Sequence, residues 1–210
     1  PGGNMKNFLI ILFSITTLTL SACEISTSND SNQTIANISS TRSLNANGGD
    51  FQFGGSFSPS NAPYGGFGGA SGCTASKTPI IFVHGNGGHA NHWAFVPNNG
   101  ELSTYHEFKY NGYKDCELFG LNIFDPAELT DPMSPSKRYH NRTSARLIRD
   151  FINDVIAYTG RSKVNIVAHS MGVTLALHGI DYGNLWGKIN KFVNISGGVQ
   201  GLAVCYWMGY

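Results

Sequence analysis

Short apolar runs alternate with longer amphipathic stretches from Pro79 onward. Short runs that are apolar throughout are typical of strands buried on both faces of a parallel sheet. Such runs predict strands at residues 80–83, 117–123, 164–168 and 191–195. Because strand and helix patterns alternate, we predict an α/β fold, a parallel sheet with helices on both faces.

The clearest helical pattern covers residues 144–158. Its apolar positions recur at helical spacing and form one stripe, made of Leu147, Ile148, Phe151, Ile152, Val155 and Ile156. Thr143 or Ser144 is predicted to cap the start of this helix, and Gly160 to close its end. Weaker helices are predicted at about 102–110 and 171–181.

The N-terminal region has the pattern of a signal peptide. An apolar segment at residues 8–20 follows Lys6 and is short for a transmembrane helix, as in signal peptides. It runs into Leu20-Ser21-Ala22-Cys23, which resembles the lipobox of bacterial lipoproteins. We therefore predict a signal peptide at 1–22, lipidation of Cys23, and an exported protein anchored to the membrane of the cell envelope. An ordinary signal peptide with a chance cysteine, and hence secretion, is the alternative.

The rest of the chain divides by composition. Residues 23–50 are rich in Ser, Thr and Asn and are predicted to be a flexible tether. Residues 51–210 are assigned to a single folded domain, in which the Gly- and aromatic-rich stretch 51–72 is an irregular, partly packed lead-in. Residues 124–142 contain three prolines and are predicted to be an insertion loop that shapes access to a site.

Charge and cysteine content narrow the function classes. The net charge is +1 with no basic patch, which argues against nucleic-acid binding. The cysteine spacing fits no zinc pattern. No cofactor is predicted. Export permits disulfides, and Cys73 and Cys116 each precede a predicted strand, so a bridge between them is expected, with Cys205 left over.

The most informative segment is a buried strand that runs into Ala168-His169-Ser170-Met171-Gly172 and then a helix. This order predicts a nucleophile elbow, a sharp turn that holds the serine hydroxyl clear of the backbone. The strand and helix pass close together at such a turn, which requires small residues at positions 168 and 172. The short pattern also occurs by chance in glycine-rich chains, and its place between strand and helix gives it weight.

A second motif, His84-Gly85-Asn86-Gly87-Gly88, follows the first predicted strand. Glycines let the backbone turn tightly and aim N–H groups at a small anion. The backbone N–H groups of Asn86 and Met171 are therefore predicted to form an oxyanion hole for acyl transfer. A plain strand-to-helix turn and a phosphate cradle are the alternatives, but no phosphate-binding glycine pattern is present.

Together the two motifs resemble the α/β-hydrolase superfamily. Their flanks resemble the lipase-like extracellular depolymerases of poly(3-hydroxybutyrate), with similarity from about residue 54 to Tyr210. The matching segments are 64–69, 73–79, 84–87, 116–120, 167–173 and 191–198. The resemblance implies an α/β-hydrolase fold, Ser170 as the catalytic nucleophile, Asn86 and Met171 as the oxyanion hole, and no metal.

The same resemblance implies an acid and a histidine after the nucleophile, and here the sequence departs from it. After Ser170 the sequence offers only His178 and Asp181, in the wrong order and in the helix that leaves the elbow. His84 and His169 flank the site and are predicted to line the substrate pocket. We therefore expect this chain to lack the triad Asp and His and to be the N-terminal part of a fold that is incomplete at its C-terminus.

The two motifs favour a serine carboxylic-ester hydrolase, and the resemblance implies that it cleaves a water-insoluble polyester such as a polyhydroxyalkanoate. A triacylglycerol lipase or esterase is the alternative within the same chemistry. A non-catalytic, lipid-anchored protein on a hydrolase fold is the alternative from another class, since the triad is not complete in this chain.

Overall fold

The computed structural model describes residues 52–95, 102–125 and 141–199. Five strands are present there: β1 (Gly66–Phe67), β2 (Ile80–Val83), β3 (Leu118–Leu121), β4 (Val164–His169) and β5 (Ile189–Ile195). The α-helices are α1 (Thr104–Tyr110), α2 (Arg142–Thr159) and α3 (Met171–Tyr182). Short 3₁₀ helices cover Ala90–Trp93, Asp115–Glu117 and Trp186–Lys188.

Several predictions fall outside the described residues. They are the signal peptide at 1–22, the lipidated Cys23, the whole tether at 23–50, most of the insertion loop at 124–142, and Cys205. Among the residues described, no helix combines the length and the apolar character needed to cross a bilayer.

The strands form one sheet in the order β1-β3-β2-β4-β5. Strands β3, β2, β4 and β5 are parallel, with Ile80 opposite both Leu118 and Asn165. β1 is antiparallel to β3 and was not predicted, because only two residues pair and one is a glycine. The parallel sheet is confirmed, with one short antiparallel strand added at its edge.

Alternate side chains of the central strands enter two separate cores. Ile81 and Val83 pack with α2 and α3 on one face, whereas Ile80 and Phe82 pack with α1 and the first 3₁₀ helix on the other. Helices therefore cover both faces, as predicted. β5 differs from the prediction of a buried strand, since Val193 is 41% exposed.

Helix α2 follows the predicted stripe, but its start was misplaced. Neither Thr143 nor Ser144 is the cap: Asn141 is the N-cap, and its side-chain oxygen accepts a hydrogen bond of 3.0 Å from the Ser144 N–H. Asn141 is an equally good capping residue, and the apolar stripe alone cannot locate the first turn. Gly160 ends the helix in the left-handed conformation, with φ 63°, as predicted.

The segment before β2 is tied to the sheet covalently and electrostatically. The predicted Cys73–Cys116 disulfide is confirmed, with its Cα atoms 5.9 Å apart. Beside it, the fully buried Glu117 carboxylate accepts hydrogen bonds from the N–H groups of Lys77 (2.7 Å) and Lys114 (2.8 Å). Burial alone would raise the pKa of Glu117, but these donors hold it below its ordinary value.

The lead-in is irregular and partly packed, as predicted. Phe57 and Phe67 are buried, and Phe57 packs edge-on against Phe119 and Phe151 of the sheet and α2. These contacts seat the lead-in on the domain and leave the carboxyl ends of β2 and β4 as the sheet edge that carries the two motifs.

Candidate active site

Ser170 occupies a strained turn between β4 and α3. Its φ of 53° and ψ of −128° lie in a region that residues other than glycine rarely adopt, at a cost of about 1–3 kcal/mol. The turn is held on both sides: the Ser170 N–H donates to Ile195 O at 2.9 Å, and Val173 N–H donates to Ser170 O at 3.1 Å. Neighbouring structure therefore fixes a partly buried serine at the carboxyl edge of the sheet, in the geometry of a nucleophile elbow.

The elbow is packed so closely that side chains are excluded at two positions. A Cβ on Gly172 would overlap His84 O and lie 2.8 Å from Val83 O. A Cβ on Gly85 would lie 3.0 Å from the Ser170 Cβ and 3.1 Å from His169 O. The backbone of helix α3 and the backbone of the loop after β2 therefore pack directly against each other beside the serine.

The loop after β2 turns sharply at the predicted oxyanion residues. Gly88 N–H donates to Gly85 O at 3.2 Å, and Gly87 takes φ 66° at the third position, which is the pattern of a type II turn. Asn86 is exposed on this turn. Met171 is the first residue of α3, so its N–H has no acceptor within the helix. Met171 follows Ser170 directly, and Asn86 follows Gly85, where a Cβ would lie 3.0 Å from the Ser170 Cβ. The catalytic role of both N–H groups stays a prediction.

His84, predicted to line a pocket, is placed as a backbone clamp. It is 2% exposed, and its Nδ1 lies 2.9 Å from Gly85 O, while its Nε2 lies 3.1 Å from the Ile123 nitrogen. This pattern requires the neutral tautomer with the proton on Nδ1, so that Nε2 accepts from the Ile123 N–H. Burial lowers the pKa of His84 to about 4, which keeps the ring neutral.

The other histidines near the loop are placed differently. His169 is exposed at the end of β4, with its Nδ1 on the side of Gly85. The rings of His89 and His92 contact each other at a tilt of 46°, with their centroids 3.9 Å apart. Neither His169 nor this pair hydrogen-bonds to the Ser170 hydroxyl in the part of the chain that the structure describes.

The two groups after the nucleophile lie along α3, away from the turn. His178 packs against Tyr182, and Asp181 accepts a hydrogen bond from the Trp186 indole. That neither serves Ser170 stays a prediction. Within residues 52–95, 102–125 and 141–199, no group of three or more His, Cys, Asp or Glu side chains is arranged to hold a metal ion.

Two contacts of the site were not predicted from the sequence. Ile195 supplies the carbonyl that holds the Ser170 N–H, and Gly197 fits against Val173 in the first turn of α3. The Asn194 side chain accepts from the Gly197 N–H at 2.8 Å and fixes that loop. A small residue just after a strand is the only signal that the sequence carries for this contact.

Comparison with protein families gives one match: the model described as lipase (class 2) covers residues 77–208. No curated protein matches the chain. The match spans both motifs and both strands that carry them.

Several solved structures have similar backbones over part of the chain. A Bacillus licheniformis lipase, BlEst2, in propeptide form shares 18% identity and a TM-score of 0.45, over 62% of this chain and 24% of that one. Its mature form shares 16% identity and a TM-score of 0.43, over 66% of this chain and 54% of that one. An α/β hydrolase from the metagenome of lagoon sediments at Mar Chica, Morocco, shares 17% identity and a TM-score of 0.38, over 64% and 51%. The chain thus spans between a quarter and about half of the length of these structures.

Proposed function

Because the chain belongs to the class 2 lipase family, we propose that it is a serine carboxylic-ester hydrolase with Ser170 as its nucleophile. The family and the parallel sheet establish the α/β-hydrolase fold. The observation that carries the proposed activity is the strained Ser170 turn, packed against the Gly85–Gly88 loop. Strain of this kind persists only where surrounding structure enforces it, and it concentrates at functional sites.

The proposed reaction is acyl transfer in two steps. The Ser170 hydroxyl attacks the ester carbonyl and loses its proton to a general base, and the tetrahedral intermediate expels the alcohol to leave an acyl-serine. Water then attacks the acyl-serine and releases the acid. The backbone N–H groups of Met171 and Asn86 stabilise the negative charge on the carbonyl oxygen, each by about 3 kcal/mol.

The general base is proposed to come from outside the described residues. Two of the described histidines are held by other groups: His84 bonds to main chain at the ends of two strands, and His106 lies 2.7 Å from the buried Ser103 hydroxyl that caps α1. His178 and the acid Asp181 lie further along α3. A His and an Asp or Glu from undescribed parts of the protein would complete the triad.

The proposed substrate is a water-insoluble ester. Family membership supports a triacylglycerol at least as well as a polyester. The flanking segments of both motifs support poly(3-hydroxybutyrate) through their resemblance to its depolymerases. Clearing of a granule suspension by the full-length protein would favour the polyester, whereas release of butyrate from tributyrin without clearing would favour the lipase.

A matched pair of serine variants tests the nucleophile. Ser196, like Ser170, has φ 53° and follows a strand at the same edge, but no catalytic role is proposed for it. In the full-length protein, Ser170→Ala should lower kcat for p-nitrophenyl butyrate by about 10⁶-fold and abolish fluorophosphonate labelling, whereas Ser196→Ala should keep both. Labelling that survives Ser170→Ala, or a wild-type protein that is never labelled, would leave the non-catalytic alternative standing.

Attachment to the cell envelope is proposed from the leader. A diacylglyceryl group on Cys23 would hold the enzyme at a membrane facing insoluble substrate, since two acyl chains anchor a protein far more firmly than one. Metabolic labelling with a fatty acid should mark the wild type and not Cys23→Ala. If both fractionate identically as soluble secreted protein, Cys23 is not an anchor.

A further inference from the structure

The turn that carries the proposed oxyanion donor also contains an Asn-Gly pair. Asn86 and Gly87 are both exposed at its two central positions. An asparagine followed by glycine is prone to deamidation, because no side chain on the second residue hinders attack by its backbone nitrogen on the asparagine carbonyl. Deamidation of Asn86 would therefore change the loop that packs against Ser170.

The geometry at Gly87 leaves that nitrogen accessible. In a type II turn only the fourth residue donates to the first carbonyl, and here Gly88 makes that bond. Gly87 N–H has no acceptor among the residues that the structure describes. A Cβ built on Gly87 would meet no atom within 4 Å, so the outside of the turn is open for ring closure.

A second exposed Asn-Gly pair provides an internal comparison. Gly112 also has a positive φ, of 80°, but here the attacking nitrogen is held by a hydrogen bond. The Gly112 N–H donates to Lys109 O at 3.0 Å, whereas the Gly87 N–H has no such acceptor among the described residues. Ring closure at Asn111 must first break this bond, which makes it the slower site.

We propose that Asn86 is a deamidation site that ages the enzyme at its oxyanion loop. The Gly87 nitrogen attacks the Asn86 side-chain carbonyl and loses its proton, the C–N bond to the side-chain nitrogen breaks, and ammonia leaves to give a succinimide. Water then opens the ring to aspartate or isoaspartate. No oxidant or reductant takes part, and the reaction accelerates with pH because the attacking nitrogen must give up its proton.

The product would impair catalysis in two ways, a consequence that rests on the proposed function. The new carboxylate repels the negative charge that develops on the substrate oxygen. Isoaspartate also lengthens the main chain by one carbon and displaces the donor N–H. Loss of one such donor lowers kcat by about 100-fold, so converted molecules should be nearly inactive.

The test follows mass and activity together in the full-length protein. The protein is incubated in mildly alkaline and mildly acidic buffers, and the tryptic peptides 78–109 and 110–114, which carry Asn86 and Asn111, are sequenced by mass spectrometry. Replacement of the amide NH₂ by OH should appear at position 86 earlier than at position 111, faster in alkaline buffer, and in step with loss of p-nitrophenyl butyrate hydrolysis. Asn86→Gln should lose activity more slowly relative to its own starting value, and Asn111→Gln should decay like the wild type.

Each outcome bears on one part of the proposal. Conversion of position 111 before 86, or none at 86, would overturn the modification site. Full conversion at 86 without loss of activity would overturn the ageing of the enzyme. If fresh protein has no esterase activity and position 86 still converts, the modification site stands and the proposed function falls.

Discussion

Replacing Gly172 with alanine should damage both stability and activity, because the new methyl group would enter space filled by main chain. An ideal Cβ there lies 2.8 Å from Val83 O and 2.9 Å from the His84 carbonyl carbon. Comfortable contacts of this kind are about 3.5 Å. Neither atom belongs to a side chain that could rotate away, so helix α3 must move off the end of β2 by roughly 0.5–1 Å.

The size of the effect follows from that displacement. Overpacking of a close contact costs about 1–3 kcal/mol. With a urea m value of about 2 kcal/mol/M, the unfolding midpoint should fall by about 1 M. Because α3 carries Met171 and the loop after β2 carries Asn86, the same displacement separates the two proposed oxyanion donors. A misplacement of about 1 Å can lower the rate about 100-fold.

Gly187→Ala is the matched control. Gly187 lies in the 3₁₀ helix Trp186–Lys188, and a Cβ there would meet no atom within 4 Å. Both substitutions remove the same glycine entropy from the unfolded chain, so only the steric contact differs. Urea unfolding followed by circular dichroism, and hydrolysis of p-nitrophenyl butyrate, measure the two effects. The reasoning is refuted if Gly172→Ala is as stable as Gly187→Ala, or if it is destabilised and yet fully active.

Three further outcomes can be measured by unfolding. His84 has a pKa of about 4 in the folded protein and 6.5 when unfolded, so the unfolded state binds the proton first as pH falls. About 3 kcal/mol of stability should therefore be lost between pH 6.5 and pH 4. His84→Gln should remove this pH dependence from urea unfolding midpoints. Glu117 has a folded pKa below 4.5, so its contribution to stability is present above pH 4.5 and is lost as pH falls through the lower folded value. Glu117→Gln should cost about 1–3 kcal/mol of stability at neutral pH and weaken the fall of the melting temperature with decreasing pH. Replacing Cys73 and Cys116 with serine opens a bridge spanning 43 positions and should cost about 4 kcal/mol, with no further loss on adding reductant.

The central strands could be predicted because their environment is uniform. β2 is flanked by two other strands and buried on both faces, so its whole length is apolar and the run Ile80–Val83 marks its bounds. Helix α3 begins directly after Ser170, as the elbow motif requires. These features depend on local sequence and on burial, and both can be inferred from the order of apolar and polar residues.

Features that depend on backbone contacts between distant segments could not be predicted. β1 pairs two residues of a glycine-rich stretch with β3, and two residues are too few to show an alternating strand pattern in the sequence. Glu117 was placed in a strand, but it lies in a 3₁₀ turn because its carboxylate collects N–H groups from Ser76, Lys77 and Lys114. A charged residue inside an apolar run does not reveal which distant donors surround it.

The candidate site was predicted through its motifs, and its supports were not. Asn86, Ser170 and Met171 come from patterns that fix a turn, and the structure places all three at one sheet edge. His84 was predicted to line the substrate pocket, but it hydrogen-bonds to the backbone instead. The sequence alone cannot distinguish these two roles for a histidine that follows a strand. Its two bonds run to Gly85 O and Ile123 N–H, and Ile123 is distant in sequence.

Glycines from two different loops meet at the first turn of α3, and this explains why the serine turn can remain strained. Gly85 faces Ser170 from the exit of β2, and Gly197 faces Val173 from the exit of β5, with a would-be Cβ 2.7 Å from Asn194 Oδ1. Main chain packed directly on main chain leaves the turn little room to relax, and the Ile195 carbonyl holds its N–H. The energy that keeps Ser170 at φ 53° therefore comes from contacts with two strands beyond its own. Replacing Gly85 or Gly197 with a larger residue should perturb the site even though neither glycine has a functional side chain.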